Sequence, residues 1–143
     1  MNYRLWTRIA LGYLTLMALQ IGVWALVAPR SFYDDYPGLG RAWISVDGPF
    51  NEHLIRDVGA LNLALAIVMA AAAVKLSRDL VVVAALASLM WGVPHFLYHL
   101  VNQDGLDGAD VAASLGGLAV AVLLPLALLW IAPKLQEPDG LRR

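Results

Sequence analysis

Four apolar runs, Ile9 to Ala28, Val58 to Val74, Leu80 to Val101 and Val111 to Ala132, constrain this chain more than any other feature. A hydrocarbon core asks for about 20 residues of helix, with about 17 as the lower limit, so each run can span and the second is the short one. Backbone groups cannot stay unpaired in lipid, which leaves helices as the form these runs take. The expected fold class is an all-α integral membrane protein: a single transmembrane domain over residues 1–143 with four helices at about 5–28, 52–74, 80–101 and 110–132. Residues 29–51 form a long structured outer loop, and 136–143 a disordered inner tail. Composition agrees, because 60% hydrophobic residues against 15% charged is a membrane ratio.

The basic residues orient the helices. With the N-terminus inside, Arg4, Arg8, Lys75, Arg78, Lys134, Arg142 and Arg143 fall on the inner side, seven of the ten. The outer side keeps Arg30, Arg41 and Arg56, together with eight of the eleven acids. This bias predicts both termini on the cytoplasmic side of a bacterial-type cytoplasmic membrane. Met1 to Arg8 resembles the basic start of a signal peptide, but the apolar run behind it exceeds the about 7 to 15 residues of a signal core and lacks a small-x-small site before Pro29. An uncleaved helix is the better reading. The two short connections, Lys75 to Asp79 and Asn102 to Asp110, make consecutive helices antiparallel neighbours, with the first packed beside the second or fourth. Asp110 is placed to cap the fourth helix.

Whole classes of chemistry are excluded. There is no cysteine, hence no disulfide and no thiolate metal site. No basic stripe is present that would follow a nucleic-acid backbone.

Polar residues crowd the start of the second helix in Asn51 to Asn62, N-E-H-L-I-R-D-V-G-A-L-N. Asn51 is an N-cap; Glu52 and Arg56, and likewise His53 and Asp57, stand one helical turn apart and can pair. Gly59 permits close helix approach and Asn62 seeks an interhelical hydrogen bond. Near the outer end of the third helix, W-G-V-P-H-F-L-Y-H-L-V-N puts His95 and His99 on one face, with Trp91, Tyr98 and Asn102 beside them. The topology brings all three histidines to the outer leaflet.

Two readings follow. In the first, His53, His95 and His99, with Glu52 or Asp57, bind a divalent metal: zinc, copper or iron, with haem a poorer fit. Glu52, His53, Arg56, Asp57, His95 and His99 are then the candidate catalytic residues of an enzyme or redox component, and Asn62, Trp91, Tyr98 and Asn102 line the pocket or support the ligands. The expected partners are the lipid bilayer and a small amphipathic ligand. In the second reading the polar cluster serves folding, and the chain is a structural or accessory subunit of a homo-oligomer or larger membrane complex. The Phe32 to Trp43 stretch is an interfacial anchor in one case and a lid in the other. In size and helix count the chain resembles small four-helix membrane proteins such as the DoxX-like group, which implies a multi-pass fold and a link to oxidoreductase complexes but no site residue.

Overall fold

The computed structural model describes residues 2–135. Four long helices dominate: α1 over Tyr3–Val27, α3 over Glu52–Lys75, α4 over Arg78–Val101 and α5 over Gly108–Ile131, the last extended by a 3-10 turn at Ala132–Leu135. Each is long and apolar enough to cross a membrane. The expected tail at 136–143 lies outside the described residues.

Local chemistry starts each helix. The Asn2 and Asn51 side chains accept from Leu5 N and Leu54 N, both at 3.1 Å, closing the first turns of α1 and α3. The cap of α5 is Asp107, which accepts from Asp110 N at 2.8 Å, so the capping role expected of Asp110 belongs three residues earlier. α3 carries Glu52 in its first turn and Lys75 in its last, as the helix dipole favours. It ends on Leu76 with φ 53°, a left-handed position where glycine is usual. Leu76 is there because its side chain is buried, and that contact offsets the backbone cost.

Packing is uneven along the molecule. α1 crosses α3 backbone to backbone at Gly22 and Gly59: a Cβ on Gly59 would lie 2.8 Å from Leu26 N and 3.0 Å from Gly22 O. Gly92 of α4 similarly faces Ala121 O of α5, where a Cβ would meet it at 3.4 Å. The two pairs join through a core of Leu11, Leu14, Ala66, Met69, Val81, Ala85 and Leu128. α1 and α5 scarcely meet, and a Cβ added at Gly116 or Gly117 would meet no atom within 4 Å. Polar side chains inside the spans bond to their own helix. Thr7, Thr15 and Ser88 donate to Tyr3 O, Leu11 O and Ala84 O at 2.7 to 2.8 Å. Such back-bonding pairs these three hydroxyls within their own helices.

The connection between α1 and α3 holds more structure than its sequence suggests. Pro29–Asp35 forms a short helix, α2, and Pro37–Gly38 (β1) pairs antiparallel with Arg41–Ala42 (β2). Pro29 suits a first helical turn, and Arg30 bonds Asp34 one turn on at 2.7 Å. Phe32 is buried with Ala25 and Ile55; the rings of Trp24 and Tyr36 meet it at 5.8 and 4.9 Å, and Trp43 meets Tyr36 edge-on at 6.1 Å.

Candidate functional site

The polar stretch at the start of α3 resolves into a junction. Arg56 donates to Glu52 at 2.9 Å and to the carbonyl of Leu26 at the end of α1. α1 has no basic residue in its own last turn, so a guanidinium from α3 satisfies its terminal carbonyls and its dipole. Arg56 and Gly59 thus act together, one clamping the end of α1 and the other admitting its backbone. Asn62 is buried, but its amide donates to Val58 O of its own helix at 2.9 Å; the expected interhelical bond is not made.

His53 sits apart from this junction. Its Nε2 is 3.2 Å from Asp57, and its side chain is 87% exposed. Among the described residues no three His, Asp or Glu side chains group so as to hold a metal ion. The ligand set of His53, His95 and His99 with Glu52 or Asp57 is therefore not assembled. The physical reason lies in the helix faces: His53 turns outward on α3, while His95 and His99 lie on the inward stripe of α4.

That stripe is the main feature of the site. Val81 and Ser88, then Ala85 and Gly92, are buried on α4. Seven residues beyond Ser88 and Gly92 stand His95 and His99, on the same face but only partly covered by protein. His95 stacks on Trp91 with centroids 5.2 Å apart and planes at 18°. His99 meets His95 edge-on at 4.8 Å and Tyr98 at 5.2 Å. The result is a ladder of four rings with imidazole nitrogens and no protein hydrogen bond to either imidazole among the described residues. Asn102 continues the ladder only in sequence, since its amide bonds back to Tyr98 O at 2.8 Å.

The opposite wall follows from register. Ser88 Oγ lies 3.4 Å from Met69 Sδ on α3. Counting seven residues from that contact along each helix, back to Asn62 and forward to His95, places Asn62 and His95 at one level. Beyond Gly92, toward the loop end, α4 has no buried residue, whereas α3 stays buried at Asn62, Gly59 and Ile55.

The connection between α1 and α3 reaches across to the start of α5. Arg41 and Trp43 Nε1 both donate to the carboxylate of Asp110, the latter at 2.7 Å, and the Asp110 side chain is only 14% exposed. The same bond raises the Arg41 guanidinium above its ordinary value. Beside it an open polar cavity of about 500 Å³ is lined by Arg41, Ser45, Gly105, Asp107 and Asp110. Sequence reasoning missed this latch because its partners stand 67 and 69 residues apart and nothing local marks the pairing.

The chain matches no family model, no curated protein and no solved structure. Its likeness to the DoxX-like group rests on size and helix count alone.

Proposed function

We propose that the chain is a four-helix antiparallel membrane bundle, with both termini cytoplasmic, that binds a small amphipathic ligand between α3 and α4. Charge supports the orientation: among the described residues Arg4, Arg8, Lys75, Arg78 and Lys134 gather at one end against Asp79 alone. The reading is carried by one observation. The stripe of α4 that is core at the basic end becomes Trp91, His95 and His99 at the loop end, with imidazoles left without hydrogen-bond partners among the described residues. Polar groups inside a bundle are costly unless they are bonded, so an unbonded pair on the inward face points to a ligand that bonds them.

The chemistry sets the ligand class. A neutral imidazole has one donor and one acceptor, and two in sequence offer a hydrogen-bonding track for a polar head. Trp91 and Tyr98 give flat apolar surface on either side. His99 lies two residues from the end of α4 and His95 six, or about 3 and 9 Å inside it. A head bound there sits just below the interface, with its apolar part between the helices. Replacing both histidines by phenylalanine keeps the ring ladder and removes the nitrogens. Mass spectrometry of molecules retained by the protein purified in mild detergent is expected to find an amphipathic species in the natural protein and at least tenfold less in the His95→Phe, His99→Phe variant. Equal retention in the two, with both folded, refutes the reading.

A second reading, an accessory or self-associating subunit, is favoured by Gln20. This residue stands inside α1 on the face away from the core, between exposed Leu16 and Val23. A carboxamide at that depth gains from a neighbouring helix. Gln20→Leu is expected to shift the protein to a smaller species by light scattering if this reading holds; no change in mass sinks it.

A further inference from the structure

Where α1 and α5 fail to meet, a groove of about 310 Å³ opens, lined by Trp6, Ile9, Ala10, Tyr13, Val120 and Leu124. One helical turn before Trp6, Tyr3 meets Lys134, whose ammonium lies 5.1 Å from the ring centre of Tyr3 and 2.9 Å from that of Trp130. Lys134 therefore bridges the start of α1 and the turn after α5, one helical turn along α1 from Trp6 of the slot. It has no acidic partner among the ion pairs of the described residues, and Arg4 and Arg8 stand on the first turns of the same helix α1.

We infer that this groove is a binding site for an anionic phospholipid of the surrounding bilayer, with the phosphate on Lys134 and one acyl chain between Trp6 and Tyr13 of α1 and Val120 and Leu124 of α5. Length supports it. From Trp6 to Tyr13 is seven residues of helix, about 10 Å, which fits within one leaflet of a core about 30 Å thick. Charge supports it as well, because the positively charged end of the molecule meets an anionic head while the slot itself holds no side chain to pair with a cation. Aromatic rings at Tyr3, Trp6 and Trp130 are the residue types that settle at headgroup level. The site is separate from the histidine ladder, which lies toward the opposite end of the helices.

The test uses the full chain in nanodiscs of phosphatidylcholine alone or mixed with phosphatidylglycerol, followed by extraction and native mass spectrometry of retained lipid. Phosphatidylglycerol is expected to be retained over phosphatidylcholine, with the preference reduced about fivefold in Lys134→Gln. Val120→Trp, which fills the slot, is expected to abolish retention of either lipid. Lys75→Gln, at the same end but away from the groove, is expected to leave the preference unchanged. Equal retention of the two lipids by the natural protein overturns the inference. So does an equal loss in Lys75→Gln and Lys134→Gln, which would mean diffuse attraction to the basic end. Lys134 is exposed, so its variant folds and the answer does not depend on the bulkier substitution.

Discussion

Gly59→Ala is the sharpest perturbation of this architecture. The added Cβ would stand 2.8 Å from Leu26 N, 3.0 Å from Gly22 O and 3.2 Å from Ala25 C, all backbone atoms of α1. Ordinary Cβ contacts begin near 3.4 Å, so α1 must withdraw by 3.4 minus 2.8, or 0.6 Å, at the crossing. No side chain can rotate away to absorb it. Overpacking of this kind costs about 1 to 3 kcal/mol, a factor of about 5 to 150 in the folding equilibrium. Alanine is the better helix former by about 1 kcal/mol, which offsets part of the loss. The contrast is Gly117→Ala, whose Cβ meets nothing within 4 Å and keeps only the propensity gain. Thermal unfolding in one detergent, monitored by size-exclusion recovery, compares them. Gly59→Ala is expected to fall below the natural protein and Gly117→Ala to equal or exceed it. If the two variants behave alike, the glycine crossing does not hold α1 on α3.

Other expectations can be checked with the same preparations. Arg56→Met is expected to cost about 1.5 to 3 kcal/mol through the lost charge-assisted bond to Leu26 O, whereas Glu52→Gln, which removes an exposed pair, costs less than about 1 kcal/mol. His53→Ala changes stability by no more than about 0.5 kcal/mol and leaves any retained ligand in place, given its exposure; loss of the ligand would return His53 to the site. Asp110→Asn weakens the bonds to Arg41 and Trp43, so amide exchange in residues 37–46 is expected to rise about tenfold while exchange in α3 holds. Burial raises the Tyr36 phenol above its ordinary 10.0, so its contribution is present below pH 10 and is lost as pH climbs through the higher folded value; Tyr36→Phe is expected to flatten an alkaline unfolding curve above pH 10.

Much of this fold is legible in the sequence because lipid leaves few choices. Apolar length announces α1, α3, α4 and α5, and Asn51 and Glu52 mark the start of α3 by chemistry confined to one turn. Periodicity placed Arg56 beside Glu52 and His95 beside His99 for the same reason. What it cannot supply is the distance between helices. Gly59 and Gly117 are one residue type in similar apolar surroundings, yet one is pressed against backbone and the other faces nothing. The meeting of His53 with His95 and His99 was inferred from shared depth, and depth says nothing about which way each side chain turns. The loop was opaque for a related reason: Phe32 is ordered by Trp24 of α1, and Arg41 and Trp43 by Asp110 at the start of α5.

The crowded stretch at Asn51 to Asn62 and the histidine ladder have separate tasks in this arrangement. Arg56 and Gly59 fix α1 on α3, and Gly92 lies in ordinary contact distance of Ala121 on α5. The pairs are tied to each other by the two-residue link at Leu76 and Ser77 and by the core around Met69 and Val81, all toward the basic end. At the loop end the strongest tie from the connection between α1 and α3 to α5 is polar and single-centred: one carboxylate, Asp110, accepting from both Arg41 and Trp43. An apolar seam there would bury the α4 stripe as it does elsewhere; a polar clasp holds the ends together without filling the space between them. The proposed ligand site at His95 and His99 therefore lies apart from the crossing of α1 and α3 at Gly22 and Gly59.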